Sequence, residues 1–409
     1  MLPPLKTVKA GLRVATETLA RELAQSRPGN PTPSWNELQW QLAMATAAAH
    51  GVSPLLSHFS QWQHAGWQAF LTKQREHVEL RHRRIASLLQ QIDEKARSAL
   101  IAVVPLKGSA LHAMGLYAPG ERPMADIDLL VREDDVAPAS ALLCELGYEE
   151  SFTQWKHRVF KPVTGEPCFS LGEHRDTPIN IELHTHIHER LPVSTIDITQ
   201  RIFPRDPKPG LNAYPSLGAM MSHLLLHASG NLCNRSARLL HLNDISLLAT
   251  RMSAEDWNKL WGEQGDESAW WAFPTLQLVD RYYKHAIPNA VLDRAGRDCP
   301  TWLRTVSKHQ TLTTLSCSEL WLHAAPGLEW SNSLSEAWRY VRRRIRPDAE
   351  MIKERADMVR TQAWLQEQRW VTLPQRRRMV MWLTQPIPRM DTLYVVRTAL
   401  ESPVLASQR

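Results

Sequence analysis

Two acidic residues, Asp126 and Asp128, stand two positions apart at the start of an apolar run that ends at Val131. Alternate residues of a β-strand face the same side, so a strand here would hold both carboxylates on one face, with α-carbons roughly 6.6 Å apart. Carboxylates at this spacing can bind two divalent ions about 3.5–4 Å apart, the arrangement that serves in-line phosphoryl or nucleotidyl transfer. The pair therefore predicts metal-dependent chemistry at a phosphate.

A second group, Lys107, Gly108 and Ser109, follows an apolar run that begins at Val103 and precedes a helical pattern that continues through Met114. A strand that passes through a glycine into a helix leaves free backbone N–H groups at the helix start, where anions bind. The lysine stands where a phosphate needs a counter-charge. With paired acids on a neighbouring strand, this group predicts a nucleotide-handling site.

The order of these residues resembles a known motif. Lys107-Gly108-Ser109, then Arg122, then Asp126-Ile127-Asp128 is similar to the pattern of the nucleotidyltransferase superfamily that includes DNA polymerase beta, and in particular to a bacterial branch described as uncharacterised nucleotidyltransferases. The spacer is long, because Asp126 lies 18 positions after Gly108. The Lys-Gly start and the arginine before the first Asp also resemble the nucleotidyltransferase toxins of toxin–antitoxin pairs. The resemblance covers roughly residues 35–290.

A third acid, Glu182, lies among apolar neighbours in the strand-like stretch 179–187, where a carboxylate is costly to bury without a cation. The family's third carboxylate stands in the same Ile-Glu-Leu-His setting, so the resemblance implies that Glu182 completes the site. His184, His186 and His188 alternate along this strand and could form a metal trio. Ligands so close on one strand rarely converge on one ion, and we expect only His184 near the site.

The resemblance implies metal-dependent transfer of a nucleoside monophosphate from an NTP to an acceptor, with release of pyrophosphate. In this scheme Asp126 and Asp128 hold two Mg²⁺ ions. Glu182 completes the ion on the acceptor side and is the candidate to take the acceptor's proton. The acceptor itself stays open among RNA, protein, a sugar and a small molecule.

The donor phosphates are assigned by the same resemblance. The backbone of Gly108 and Ser109 would hold the β- and γ-phosphates, with Lys107 and Arg122 offsetting their charge. A guanidinium is a planar fork that suits phosphate oxygens, although Arg122 could instead close a salt bridge within its loop. Two other functions fit the pattern: a toxin-like enzyme that modifies tRNA, and a non-catalytic nucleotide-binding or scaffold protein. The presence of all three acids argues against the second.

The composition is that of a globular protein, with 409 residues of which 43% are hydrophobic and 22% charged. Five scattered cysteines without a Cys-x-x-Cys pair favour reduced thiols over a disulfide frame or a zinc site. No apolar run reaches 18 residues, and the N-terminus lacks the pattern of a secretory signal. We therefore expect a cytoplasmic protein without a transmembrane segment.

The positive charge is concentrated near the C-terminus. Residues 339–378 contain eleven arginines and one lysine against five acids, a net charge of +7, whereas the whole chain carries +6. A solvated helix face is one interpretation. Contact with nucleic acid is another, because arginines neutralise phosphates and nearby tryptophans can stack on bases. Contact with a membrane surface through 339–383 is the third, because Arg376–Arg378 precede the apolar run Met379–Leu383.

We expect an α/β (α+β) fold, in which a small mixed sheet carries the acids between N-terminal helices and an all-helical C-terminal region. Besides the two motif strands, periodicity predicts helices at 35–50, 55–71, 73–100, 134–146, 217–229, 237–251, 254–261 and 270–285, and strands at 155–161, 168–171 and 179–187. The expected division is an N-terminal helical segment (1–99), a nucleotidyltransferase core (100–213), a helical domain (214–335) and a basic C-terminal helical region (336–409).

Overall fold

Helices make up most of the chain and surround one mixed sheet. The computed structural model describes residues 2–25, 31–59, 61–165, 168, 170–262, 267–324, 326–366 and 368–401. The α-helices are α1 (Leu5–Leu23), α2 (Glu37–Ala49), α3 (Ser53–Phe59), α4 (Ala65–Ser98), α5 (Lys107–Ala113), α6 (Val136–Glu145), α7 (Thr199–Ile202), α8 (Leu217–Cys233), α9 (Leu239–Ala249), α10 (Ala254–Asn258), α11 (Phe273–Tyr282), α12 (Asn289–Asp298), α13 (Thr301–Ser307), α14 (Leu312–Leu315), α15 (Leu334–Ile345), α16 (Ala349–Thr361), α17 (Ala363–Gln366), α18 (Gln375–Thr384) and α19 (Met390–Leu400). Short 3₁₀ helices span Glu133–Asp135, Lys259–Trp261, Trp270–Ala272, Leu328–Trp330 and Arg369–Val371.

The central sheet has the strand order β3-β4-β5-β2-β1-β8. Its strands are β1 (Ala102–Pro105), β2 (Asp126–Leu130), β3 (Tyr148–Thr153), β4 (His157–Pro162), β5 (Asn180–His184) and β8 (Gly210–Leu211), and a separate hairpin consists of β6 (His188–Arg190) and β7 (Thr195–Asp197). β2 runs antiparallel to β1 and parallel to β5, while β4 pairs antiparallel with both β3 and β5. A mixed sheet between N-terminal and C-terminal helices confirms the expected fold class.

One face of the sheet packs against the long helix α4. Ile85 and Ile92 of that helix are almost fully buried with Ile127 of β2 and Ile181 of β5 in one cluster. The fully buried Arg81 fixes the start of β2, because its guanidinium donates to the carbonyls of the two residues before the strand at 2.8 and 2.7 Å. Apolar burial and this clamp together fix where the first acid of the motif stands.

The opposite side of the sheet faces a second and larger core. Val104 of β1 and Leu130 of β2 are buried in a cluster with apolar side chains of α2, α8, α9 and α11. The N-terminal helices and the helices that follow the sheet therefore share one core. Helix α8 is buried around most of its circumference, as expected for a helix enclosed by other elements.

The predicted strand at 168–171 is wrong. None of its described residues (168, 170 and 171) lies in a sheet. Gln74 takes the place of a neighbouring strand, because its side-chain amide donates to the carbonyl of Leu171 at 2.9 Å and accepts from the N–H of Glu173 at 3.0 Å. A side chain distant in sequence thus satisfies the hydrogen-bonding groups of this backbone. The turn predicted before this stretch, at 165–167, lies partly outside the described residues.

The predicted helix boundary near residue 72 is also wrong. The chain leaves α3 at Phe59, and α4 begins at Ala65 and continues without a break to Ser98. His64 caps α4, because its ring nitrogen Nδ1 accepts from the N–H of Trp67 at 3.1 Å.

The sequence pattern also gave no prediction for the strands β3, β7 and β8, of which the last two span three and two residues.

The C-terminal helices differ in how firmly they pack. Helix α19 buries Val396 and Ala399 in a cluster with Leu12 of α1 and Leu42 of α2. By contrast, α15 and α16 have no fully buried residue. None of the helices in the described ranges combines the length and hydrophobicity needed to cross a lipid bilayer.

Candidate active site

The turn after β1 places Lys107 against the acids. The N–H of Leu106 donates to the carbonyl of Asp128 at 2.9 Å, which fixes the turn to β2. Lys107 then adopts a φ of +47°, a conformation that is uncommon and strained for a residue other than glycine. Its Nζ lies 2.8 Å from Oδ1 of Asp128, and its N–H donates to the hydroxyl of Tyr214 at 3.3 Å. The lysine predicted to bind phosphate therefore contacts the acid pair directly.

The parallel pairing of β2 with β5 brings the three predicted acids together. Asp128 lies opposite Glu182 across the two strands, and Asp126 lies opposite Asn180. Asp128 is buried, whereas Asp126 and Glu182 are half-buried. All three acids line one cleft of about 1100 Å³.

The acids differ in how well their charge is balanced. The carboxylate of Asp126 has no hydrogen bond or ion pair to any residue that the structure describes. Burial and the carboxylates of Asp128 and Glu182 raise its pKa to about 7. Burial acts on Asp128 in the same direction, but Lys107 and His184 overcome it and hold the pKa of that carboxyl well below its usual range. This cluster carries more negative charge than its neighbours offset, and its oxygen ligands fit a hard divalent cation such as Mg²⁺.

Replacing Asp126 with asparagine tests this imbalance. The metal-free variant is expected to melt at or above the temperature of the wild type, because the neutral amide keeps the shape and removes repulsion from Asp128 and Glu182. Mg²⁺ with an NTP should raise the melting temperature of the wild type, because ligand at 100 times its dissociation constant adds about 2.7 kcal/mol to the stability of the folded state. The variant should lose that shift.

Differential scanning fluorimetry measures both effects. Asp134→Asn, which removes an exposed acid from the 3₁₀ turn after β2, is the matched control and should keep the ligand-induced shift. A clear fall in the melting temperature of metal-free Asp126→Asn, or an undiminished shift with Mg²⁺ and NTP, would exclude Asp126 from a cation site.

Two histidines surround the remaining acids. Nε2 of His184 lies 3.1 Å from Oδ1 of Asp128 and 3.7 Å from Oε2 of Glu182. Nδ1 of His157, on the neighbouring strand β4, lies 3.4 Å from the same glutamate oxygen. Burial lowers the pKa of His157 to about 4, so the ring is neutral near pH 7. The ligand atoms of His157, Glu182 and His184 lie within 4.8 Å of one another, an arrangement that fits a transition metal better than Mg²⁺.

The other two histidines of the predicted trio lie elsewhere. The strand β5 ends at His184, so the alternation does not continue along one strand. The ring of His186 lies 3.6 Å from a carboxylate oxygen of the exposed Glu133, and the ring of His188 packs against Trp155. Of the predicted trio, His184 is the histidine that contacts Asp128 and Glu182, as the sequence pattern indicated.

Arg122 forms a buried ion pair. Its Nε and Nη2 donate to the two carboxylate oxygens of Asp244, on helix α9, both at 2.8 Å. The hydroxyl of Tyr117 donates to the same carboxylate at 2.7 Å and accepts from the amide of Asn243 at 2.8 Å. The arginine thus ties the loop before β2 to the helical layer, and its predicted role toward phosphate stays a prediction.

Gly108 lies directly over this arginine. A β-carbon at Gly108 would lie 2.3 Å from Nη1 of Arg122 and 2.8 Å from Cγ of Met124. The turn between β1 and α5 therefore requires glycine for packing. Ser109 is buried, with its hydroxyl oxygen 4.0 Å from the sulfur of Met124. Gly108 and Ser109 both line the cleft with Lys107.

Part of the cleft wall comes from the C-terminal region. The segment from α15 to α19 contributes arginines and aromatic side chains to the cleft: Arg344, Arg355, Arg378, Arg389, Trp364, Trp370, Trp382 and Tyr394. Helices α8 and α9 contribute His227 and His241, and burial lowers the pKa of both rings well below the usual range. The basic region is therefore part of the cleft and not only an outer surface.

Four side chains that support this site were not predicted from the sequence. They are Tyr117, His157, Tyr214 and Asp244. Asp244 gave the clearest local signal, because an acid within the predicted apolar helix 237–251 requires a buried partner. The others gave no such signal, since their roles depend on strand and helix pairing.

The comparisons with known proteins agree with this geometry. A sequence model of the family described as uncharacterised nucleotidyltransferase matches residues 36–270, more than half of the chain. No curated protein and no solved structure gives a significant match. The matched region contains the turn at Lys107, the paired acids and the strand of Glu182. The chain belongs to the family of uncharacterised nucleotidyltransferases.

Proposed function

We propose that this protein transfers a nucleoside monophosphate from an NTP to an acceptor hydroxyl and releases pyrophosphate. The observation that carries the proposal is the meeting of Asp126, Asp128 and Glu182 on adjacent parallel strands, with Lys107 in contact and an open cleft before them. A fold kept only for nucleotide binding has no need of an acid cluster with so much unbalanced charge.

Asp126, Asp128 and Glu182 would hold the divalent ions, and Mg²⁺ is the expected species because all three ligands are carboxylates. When bound, the ions neutralise phosphate charge and lower the pKa of a coordinated hydroxyl. His184 orients the cluster, because it contacts both Asp128 and Glu182. Despite its burial, its contacts with these two acids raise its pKa.

The donor phosphates would lie at the turn between β1 and α5. Lys107 keeps its positive charge there, because Asp128, Glu182 and Asp126 outweigh burial and raise its pKa. It would offset phosphate charge while the backbone of Gly108 and Ser109 binds phosphate oxygens. In the reaction, the acceptor oxygen bonds to the α-phosphorus, and the bond from that phosphorus to the bridging oxygen breaks. Pyrophosphate leaves with the electron pair, and the hydroxyl proton passes to Glu182.

The position of the label tests this reaction. Each of the four NTPs, labelled at the α- or the γ-phosphate, is incubated with the protein, Mg²⁺ and separate fractions of RNA, protein and small molecules. We expect the α-label alone to appear on an acceptor, with one pyrophosphate released for each transfer. Transfer of the γ-label would identify a kinase, and binding of an NTP without any transfer would identify a non-catalytic protein.

A further inference from the structure

Two arginine side chains and the backbone of a third arginine, all in the C-terminal part of the cleft wall, contact one neutral side chain. Arg355 of α16 donates to the amide oxygen of Gln375 at 2.6 Å, and Arg378 of α18 donates to the same oxygen. The amide nitrogen of Gln375 in turn donates to the backbone carbonyl of Arg344 on α15. Two guanidinium groups therefore share a single uncharged acceptor. We call Arg344, Arg355 and Arg378 the arginine cluster.

The charge of the arginine cluster is not balanced. Among the described residues, no carboxylate lies within 4 Å of its three guanidinium groups. The nearby acids are engaged elsewhere, Glu354 with Arg190 at 3.8 Å and Asp391 with Arg389 at 2.8 Å. Arg378 is only 3% exposed, and its Nε and that of Arg344 are buried without a hydrogen-bond acceptor in the described part of the chain. The other hydrogen bonds of these guanidinium groups go to neutral oxygens, that of Gln375 and the backbone carbonyl of Ala324. Because a buried charge is costly without a counter-charge, the cluster is suited to receive an anion.

Aromatic rings stand beside the arginine cluster in the same cleft. Trp370 and Trp382 lie edge to face with centroids 5.9 Å apart, and Trp364 lies 5.8 Å from Tyr394. The guanidinium of Arg378 lies 5.4 Å from the centroid of the Trp382 ring. The indole nitrogens of Trp370 and Trp382 are buried without an acceptor among the described residues. Aromatic faces next to cations are the combination that binds the bases and phosphates of single strands.

The positive surface continues outward from the cleft. Arg342 and Arg343 are exposed on the helix that carries Arg344, and Arg376 and Arg377 are exposed on the helix that carries Arg378. These two helices pack against each other. The ion pairs that the structure describes include none for these four arginines. A continuous track of this kind fits a chain of phosphates better than a single small anion.

The cleft is large for a site that binds one small molecule. Pockets of that kind measure roughly 300–1,000 Å³, and this cleft, of about 1100 Å³, lies at the upper end of the range. The donor phosphates are assigned to the wall at Lys107, so the arginine cluster, which lines another part of the same cleft, is left for the acceptor. On helix α18, Met379 is buried and Trp382 lines the cleft, which leaves Val380 and Leu383 as its exposed large apolar side chains. Two such side chains are a small apolar surface for binding a membrane.

We propose that the arginine cluster, with Trp370 and Trp382, binds the 3′ end of a single-stranded nucleic acid as the acceptor of nucleotidyl transfer. The proposal rests on the proposed function and names its acceptor. The terminal 3′-hydroxyl oxygen forms the bond to the α-phosphorus of the NTP, the bond to pyrophosphate breaks, and the hydroxyl proton passes to Glu182. The strand then leaves the cleft along the exposed arginines.

Salt dependence of binding tests the proposal. A 5′-labelled 12-nucleotide RNA of mixed sequence, and the DNA of the same sequence, are titrated with the full-length protein in fluorescence anisotropy at several salt concentrations. Contact with about six phosphates predicts a slope of log K against log salt near −4. Arg342→Ala/Arg343→Ala should flatten that slope by about 1.4. The control Arg13→Ala/Arg21→Ala, which removes two exposed arginines from α1, should leave it unchanged.

The inner wall is tested with conservative variants. Arg355→Gln/Arg378→Gln and Trp382→Ala should each weaken binding of the oligonucleotide by about tenfold or more. The melting temperature of each variant reports whether it folds. If a variant of the inner wall does not fold, the variant Arg342→Ala/Arg343→Ala on α15 still tests the proposal. Transfer of the α-labelled nucleotide is measured onto the same oligonucleotide with a free 3′-hydroxyl and with a blocked one. Blocking the 3′-hydroxyl should abolish transfer.

The outcomes separate this proposal from the proposed function. Binding of RNA alone, of DNA alone or of both supports the proposal and identifies the source of the strand. Failure of both oligonucleotides to bind, together with transfer to a small acceptor, overturns this proposal and leaves the proposed function intact. Binding to phosphatidylserine vesicles with none to oligonucleotides also overturns it. Binding of oligonucleotides at the cluster without transfer of any nucleotide would contradict the proposed function instead.

Discussion

Replacement of Asp128 with asparagine is expected to reduce nucleotidyl transfer by about three orders of magnitude, or about 4 kcal/mol of transition-state stabilisation. Asp128 is the centre of the acid cluster, because it contacts both Lys107 and His184 and lies opposite Glu182. Asparagine has nearly the same shape as aspartate but no charge. It therefore cannot neutralise a divalent ion, and it accepts weaker hydrogen bonds from Lys107 and His184. The rate of α-label transfer under saturating NTP measures the effect.

The same variant has a defined structural cost. Lys107 is largely buried, with 19% of its side chain exposed, and it loses the charge of its partner when Asp128 becomes an amide. A moderate fall in melting temperature is therefore expected together with the loss of transfer. Asp134→Asn, an exposed acid outside the cleft, should keep both properties of the wild type. A rate for Asp128→Asn within tenfold of the wild type would show that the acid cluster does not carry the reaction.

Replacement of Asp244 with alanine is expected to destabilise the protein by about 3–5 kcal/mol, because it leaves the buried guanidinium of Arg122 without its counter-charge. The pair is almost fully enclosed, because 10% of the Arg122 side chain and 3% of the Asp244 side chain are exposed. The variant also removes the carboxylate that accepts from the Tyr117 hydroxyl. Urea unfolding followed by tryptophan fluorescence measures the loss. Glu79→Ala, which breaks the exposed pair with Arg83, should cost at most about 1 kcal/mol.

A double variant separates the structural role of Arg122 from its predicted contact with phosphate. Arg122→Met/Asp244→Leu should recover much of the stability that Asp244→Ala loses, because replacing a buried ion pair by apolar side chains of similar volume is often neutral. If Arg122 also binds phosphate, the folded double variant will still bind NTP more weakly than the wild type. Normal NTP affinity would assign Arg122 to structure alone. A loss below about 1 kcal/mol in Asp244→Ala would contradict the buried-pair argument itself.

The candidate site shows which contacts a sequence can predict. The turn at Lys107 and the strand of Asp126 and Asp128 depend on short-range patterns, namely an apolar run, a glycine and alternation along one strand. Those patterns predicted both elements and the chemistry of the residues at their ends. Glu182 was predicted from a local setting that resembles the family, and not from any expected contact with Asp128.

The contacts between distant segments were decided by tertiary structure. Glu182 meets Asp128 because β5 inserts beside β2 in parallel, and His157 reaches Glu182 because β4 pairs antiparallel with β5. The register of these pairings depends on which faces of the strands are buried against helix α4 and the helical layer. No short window of the sequence contains that information. For the same reason the pairing of Arg122 with Asp244 was not predicted, although the arginine itself was identified.

The basic C-terminal region shows the same difference between what local sequence determines and what tertiary structure decides. The sequence by itself determined its charge, its tryptophans and its helical character, because composition and periodicity are local properties. Only the tertiary structure decided which arginines face inward. Helix α19 docks on the N-terminal helices through Val396 and Ala399. Arg344, Arg355 and Arg378, on three other helices of this region, line the cleft that contains the acids. A helix has many faces, and burial against the rest of the chain selects the one that becomes part of a site.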